Sequence, residues 1–467
     1  MKAKRQGEKN STLEGIEGAP ASDNWTKEKN DTMAERNVAV YSERVKRIQD
    51  AAQLKKPDRV PISIEDQGVF IRHGELTWAE AMYDVEKAKT AARKFYLDLE
   101  QDTHSMPMIL TPGQVYDILN FKQMKWPGAE LEENRMSLDG IYQFIEPGGS
   151  RYSGMRPDEY DWFLNDPTDY IIRGFWPKIA ESLQPLQKLL PLWYVNSYTR
   201  LELLANFGIP EVANSLEKQI ETGRKLIEFS NAMADYTTQM IHLGFPPRGI
   251  ASCSAPFDYL GDYMLGTQGW MLELYDNPDK LLRMIEKVTP MILNQVITQA
   301  RAKRDILARA LPGDIKVKDV FMHIHGGTGG FMSNEQFKKF YWPSLKMLLL
   351  GIIDAGFTPY VFSEGDYTDR LEIIKDLPQG KVVWHIESDI FEAKKILGDT
   401  CCIEGGPPSA IMDRGTPDEV RSYAKKLIDS CAKDGGFIMG SSVSLLSAKY
   451  ENVKALVEFT KEYGVYK

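Results

Sequence analysis

DVFMHIHGG at 319–327, TPYVFSEG at 358–365, KVVWHIE at 381–387, TCCIEGG at 400–406 and GGFIMG at 435–440 are short apolar runs with polar or glycine ends. A helix-period segment follows each of them. The first such helix opens at Ser333 with Gln336 in capping-box spacing, and TDRLEIIKDL and DIFEAKKILG supply the next two. The fourth starts at Thr416, with Pro417 at its first position and Glu419 three residues after the cap, and ENVKALVEFTKEYG closes the series. Strand then helix, five times over, predicts a parallel sheet covered by helices. Further strands are expected at 60–64, 103–109, 191–196 and 247–252. That number suits a closed barrel, so the predicted class is α/β: a (β/α)8 TIM barrel with an N-terminal extension and long loop insertions.

Working outward, residues 1–33 read as a flexible N-terminal extension, polar and poor in aromatics. Residues 34–467 then form one barrel domain. It opens with a helix over 34–54 and carries loops at 126–135 and 146–162. The 467 residues include 57 Lys or Arg against 66 Asp or Glu, a net charge of −9, which with no basic stripe argues against nucleic acid. Four cysteines in so long a chain, two of them adjacent, fit a reducing compartment and no disulfide framework. The start lacks a signal-peptide apolar stretch, and the longest greasy run, MLLLGII, is too short for a bilayer. A cytoplasmic protein without membrane contact is expected.

Barrel function sits where strands end. Three of the six histidines, His323, His325 and His385, fall at such ends. Strand parity turns Val320, Met322 and Ile324 toward the outer helices, so Phe321, His323 and His325 face the interior. The same parity turns Tyr360, Phe362 and Glu364 to one face, Cys402 and Glu404 to one face, and His385 inward. Imidazole and carboxylate together suit zinc, and a catalytic zinc takes three protein ligands with one open position. His325, Glu364 and His385 are therefore the candidate metal ligands. His323 and Glu404 remain as a fourth ligand, a supporting partner or the general acid/base pair. Asp258, in SAPFDYLGD with Asp262, and Tyr360 are the candidate substrate contacts; capping of a helix explains either aspartate equally well. GGTGG at 326–330 lacks the spacing of a phosphate loop and reads as a turn beside the site.

PDRVPI, WPG at 126–128, DEYDWFLNDPTDYIIR at 158–173, APFDYLGD, FSEGDYTDRLE, KVVWHIESD and GTPDEV together resemble the uroporphyrinogen decarboxylase superfamily over residues 35–467. The likeness is to its corrinoid-dependent methyltransferase branch. The Arg-rich tetrapyrrole motif expected after the first strand is replaced by ISIEDQGVFIRHG, which disfavours uroporphyrinogen itself as substrate. The His-x-Cys of thiol-methylating members reads His323-Ile324-His325. Members that demethylate phenyl methyl ethers separate a Glu and a His ligand by twenty residues, as Glu364 and His385 are separated, although Leu349 stands where an upstream Glu belongs. The resemblance implies zinc-dependent methyl transfer from a small methylated compound, such as a methoxylated aromatic, to Co(I) of a corrinoid on a separate partner protein. The alternative is a cofactor-free decarboxylase acting on another carboxylated substrate. By analogy, a homodimer is expected.

Overall fold

The computed structural model describes residues 27–65, 68–105, 112–137, 140–145, 154–195, 198–310, 316–442 and 445–467. Six parallel strands lie side by side in chain order: β4 (Ala251–Ser254), β5 (Asp319–Ile324), β6 (Thr358–Ser363), β7 (Val383–His385), β8 (Cys402–Gly405) and β9 (Phe437–Met439). Two short segments close the ring. Ile62 pairs in parallel with Met439, and the Asp102 amide donates to the Ile62 carbonyl at 2.9 Å. His104 then pairs in parallel with Pro247, just before β4. The result is the (β/α)8 barrel.

Side-chain parity follows the sequence expectation. Val320, Met322, Ile324, Val382, Trp384 and Ile386 pack in the layer under the outer helices, while Phe321, Tyr360, Phe362, Val383 and Cys402 fill the interior. Ile48, Ala51 and Ala52 of the first helix (Lys27–Ala52) join that inner cluster and plug the end where the strands begin. Asp102 fixes this plug: Arg47 Nη1 donates to it at 2.6 Å, Arg59 Nη2 at 2.7 Å and the Ile62 amide at 2.8 Å. Buried and multiply bonded, Asp102 ties the first two barrel segments to the first helix, as a buried carboxylate must be tied to persist.

Both predicted capping boxes form, at Ser333–Gln336 and at Thr416–Glu419. Several expectations need correction: the strand expected at 60–64 reduces to the bridge at Ile62, and the loop expected at 146–162 holds a 3-10 turn, Pro157–Glu159, and the start of the helix Tyr160–Asn165. The first helix begins at Lys27, seven residues early. The strand expected at 191–196 is a 3-10 turn, Leu192–Tyr194, outside the barrel. The strand expected at 103–109 reduces to the bridge at His104, and 106–111 lie outside the described residues. The loop expected at 126–135 contributes to a small sheet, where β1 (Met124–Pro127) pairs with β2 (Arg135–Met136) and β3 (Gln143–Phe144). Residues 1–26 of the extension and 146–153 of the second expected loop lie outside the described residues. Among the described residues no helix is long and apolar enough to cross a membrane.

Candidate functional site

The site forms where β5 ends. After β4 the chain turns at Pro256 into a short helix, Pro256–Leu260, that runs on as a π-helical turn, Gly261–Leu265. Asp258 and Asp262 stand four residues apart along it and so share one face. A second π-helical turn, Phe337–Tyr341, brings in Tyr341. Single π turns inside helices recur at functional sites because they re-aim side chains.

Asp258 caps no helix. Its Oδ2 accepts from the His325 amide at 3.2 Å and from the Tyr341 hydroxyl at 2.6 Å, and its Oδ1 accepts from the Gly326 amide at 3.1 Å. The buried carboxylate thus grips the backbone at the end of β5. Gly326 is required by contact: a Cβ there would stand 2.6 Å from Asp258 Oδ1. The grip aims the His325 ring at Asp262, with Nε2 3.1 Å from Oδ1. His323, two residues back on the same inward face, has its Nε2 3.4 Å from the Tyr263 hydroxyl.

The two histidines are driven apart electrostatically. Burial works against a charge on His325, but the hydrogen bond and charge of Asp262, with Asp258 and Glu364 behind it, push its pKa up to about 9. Burial lowers that of His323, and the neighbouring His325 charge adds to the effect. One ring is therefore a cation and the other neutral near pH 7. Asp258 is raised to about 7, first by burial and then by Asp262, against the pull of His325 and the Tyr341 hydroxyl. Burial also raises Glu364, with Glu387 and Asp262 adding to it. Groups shifted in opposite directions within one cleft mark a place built to hold or move protons or a cation.

The candidate residues separate into two layers. Among the described residues, the group of three metal-ligating side chains whose ligand atoms lie within 4.8 Å of one another is Asp258, Asp262 and His325. Glu364 stands close enough to act on the His325 charge but outside that spacing. His385 does not join: it is fully buried, its Nε2 is 2.8 Å from the Ser441 carbonyl, and its ring stacks on Phe362 at 4.1 Å. Glu404 and Tyr360, expected as an acid/base and a substrate contact, are consumed below the mouth. Arg248 Nη2 donates to Glu404 Oε2 at 2.7 Å, Tyr360 Oη donates to Glu404 Oε1 at 2.6 Å, and the guanidinium lies 3.7 Å over the Tyr360 ring. A second bond ties Arg248 to Asp319. The cysteines stay out of the site, and burial pushes the Cys401 thiol up to about 12.

Sequence reasoning missed Arg248, Tyr341 and Arg370. Arg370, also buried, donates to the carbonyls of Gly327, Thr328 and Met332, so the glycine loop beside His325 is held from beneath. That loop carries Phe331, whose ring lies 6.4 Å from His325 and 5.6 Å from Trp270. With Tyr263 it gives the mouth an aromatic rim.

The cluster fits a divalent ion. A carboxylate has about four lone-pair positions, and Asp258 uses three on its donors, leaving one. Zinc bonds near 2.1 Å put tetrahedral ligands about 3.4 Å apart; His325 and Asp262 stand 3.1 Å apart and the whole set lies within 4.8 Å, so an ion would draw the set together and displace the proton shared by His325 and Asp262.

Residues 248–463 match the family model described as uroporphyrinogen decarboxylase (URO-D). That stretch supplies β4 to β9 and all three members of the cluster. Among solved structures, a methyltransferase from Methanosarcina mazei is similar, with a TM-score of 0.53 at 12% identity, covering 89% of this chain and 98% of that one. The likeness extends the barrel assignment to nearly the whole chain and concerns the fold. No curated protein matches the chain.

Proposed function

We propose that the protein is a methyltransferase whose site is the Asp258–Asp262–His325 cluster at the barrel mouth. One observation carries this reading: an imidazole and two carboxylates converge to within 4.8 Å at the strand ends where barrel enzymes place their chemistry. The structural neighbour's description as a methyltransferase supports the reaction class, and the family match supports the barrel.

Asp258, Asp262 and His325 would hold a divalent metal, for which we propose zinc, an ion that accepts a mixed imidazole and carboxylate set, and Glu364 is the next carboxylate acting on His325. When bound, such an ion acts as a Lewis acid on the heteroatom that loses its methyl group. The protein's own groups do the rest. Asp258 fixes the His325 backbone through two amides, so the ligand set is oriented before substrate arrives. His323, whose Nε2 lies 3.4 Å from the Tyr263 hydroxyl, is placed to relay a proton taken from solvent through that hydroxyl to the departing heteroatom. Phe331, backed by the buried Trp270, and Tyr263 form an aromatic rim suited to a methoxylated aromatic, which is the substrate class we propose. The methyl acceptor is Co(I) of a corrinoid carried by a partner protein that docks over the mouth.

A decarboxylase would need cationic groups free to hold a substrate carboxylate. Arg248 and Arg370 are both engaged with protein acceptors. The test is transfer of methyl from a panel of methoxyarenes, methylamines and methyl thiols to Co(I) cobalamin, followed by its absorbance. Turnover of a methoxyarene that falls at least 100-fold in Asp262→Ala supports the reading; undiminished turnover in that variant contradicts it.

A further inference from the structure

Beneath the mouth the barrel is open at a level where its inward side chains would ordinarily close it. Ser252 is in register with Phe321, and Ser254 with His323, so both serines point into the barrel. Yet Ser252 is exposed, and Ser254, Phe321 and His323 are only half-buried. Solvent therefore reaches the interior two residues below His323. Ser254 is engaged there with the Tyr263 hydroxyl, whereas among the described residues the Ser252 hydroxyl has no hydrogen-bond partner. Further down the interior is shut by Arg248, Tyr360 and Glu404, which are all buried and bonded to one another.

The depth of this space sets the size of what fills it. Four residues at about 3.3 Å each, tilted about 36° to the axis, place Ser252 about 11 Å below His325. Less a contact of about 3 Å at each end, about 5 Å remains, which one benzene ring with oxygens on opposite carbons spans. The wall suits such a ring: Phe321 and His323 lie along one side with ring centroids 6.4 Å apart, and Phe321 is itself backed by Phe362 at 5.8 Å.

Charge decides what the far end of the ligand carries. Arg248 is shared between Asp319 and Glu404. The Tyr360 hydroxyl is held protonated by burial first and then by Glu404 and Glu65, which places the Glu65 carboxylate beside the same layer. Three carboxylates thus surround one guanidinium. A ligand carboxylate brought to Ser252 meets an excess of negative charge, while a neutral hydroxyl meets a free hydroxyl partner.

We infer that Ser252 is a specificity-determining residue, and that the substrate is a methoxyarene bearing a hydroxyl, not a carboxylate, opposite the methoxy group. This rests on the methyltransferase reading of the mouth. In that pose the ring hangs into the barrel and the methyl group stays at the mouth. The test is calorimetric binding of 4-methoxyphenol, methoxybenzene and 4-methoxybenzoate to the full-length protein supplied with zinc, which needs no turnover. The wild type should bind 4-methoxyphenol at least 5-fold tighter than either of the others, the value of about one hydrogen bond. Ser252→Ala should bring 4-methoxyphenol to within 2-fold of methoxybenzene without weakening methoxybenzene. Ser252→Leu, which fills the space, should abolish binding of all three at an unchanged melting temperature. Equal affinities in the wild type, no binding of 4-methoxyphenol, or a preference that survives Ser252→Ala overturns the inference. The binding pattern without methyl transfer to Co(I) cobalamin would contradict the reaction and leave the Ser252 subsite standing; transfer without the pattern would overturn the subsite alone.

Discussion

Replacing Asp262 by Asn removes the charge and the charged hydrogen bond that keep His325 protonated while preserving shape. The His325 pKa stands at about 9, against about 6.5 for a free imidazole. That excess of about 2.5 units corresponds to about 3 kcal/mol favouring the cation. Asp262 is the largest favourable contributor, with Asp258 and Glu364 behind it, and burial opposes all three. Removing it should therefore drop the pKa by at least about 1.5 units, or about 2 kcal/mol. The sign for stability follows. A folded-state pKa raised above the unfolded one contributes stability fully below pH 6.5, and that contribution fades as pH rises to about 9. Asp262→Asn should remove this slope between pH 6.5 and 9. The assay is an NMR titration of the imidazole Cε1 protons in chelator-treated protein, with His325→Gln to assign the resonance, alongside urea melts at each pH. A wild-type His325 titrating near 6.5, or one unmoved by Asp262→Asn, refutes the electrostatic account of the site.

Gly326→Ala places a Cβ 2.6 Å from Asp258 Oδ1 and should cost about 1–3 kcal/mol of overpacking, read as a lower thermal midpoint. Arg248→Met leaves Asp319 and Glu404 buried without their partner and should destabilise by about 3–5 kcal/mol in urea; a loss below about 1 kcal/mol contradicts the inner network as drawn. His104 is fully buried, and desolvation lowers its pKa to about 4. Its neutral form thus supports folding above pH 6.5, and that support is lost as pH falls toward 4, so His104→Gln should flatten acid unfolding in this window.

The barrel was legible where one strand carries enough residues to show its parity. Val320, Met322 and Ile324 against Phe321 and His323 placed the layers before any contact was known. The first two barrel segments, at Ile62 and His104, were hard to bound, because Asp102 and Thr103 are polar and a single bridge marks each segment. PLWYV at 191–195 has strand composition, yet it lies exposed on the outer insertion, where its apolar side chains face solvent. At the site, the strand-end histidines were visible in the sequence, and Asp258 and Asp262 were expected to line the mouth but not to join His325 in one cluster. The fates of Glu404 and Tyr360 were hidden, because Arg248, which pairs with the carboxylate, stands 156 residues earlier in the chain. No local pattern encodes a partner that only barrel closure brings near. His385 stacks on the inward Phe362, and it is full burial and the contact of its Nε2 with the Ser441 carbonyl that separate it from the cluster.

Metal content tests the central claim most directly. Purified protein, stripped with a chelator and titrated with zinc, should take up about one ion per chain with competition against a chromophoric chelator, and His325→Ala and Asp262→Ala should each weaken uptake at least 100-fold while His385→Ala leaves it within a few fold. Uptake unchanged in the first two variants and abolished in the third would contradict the account.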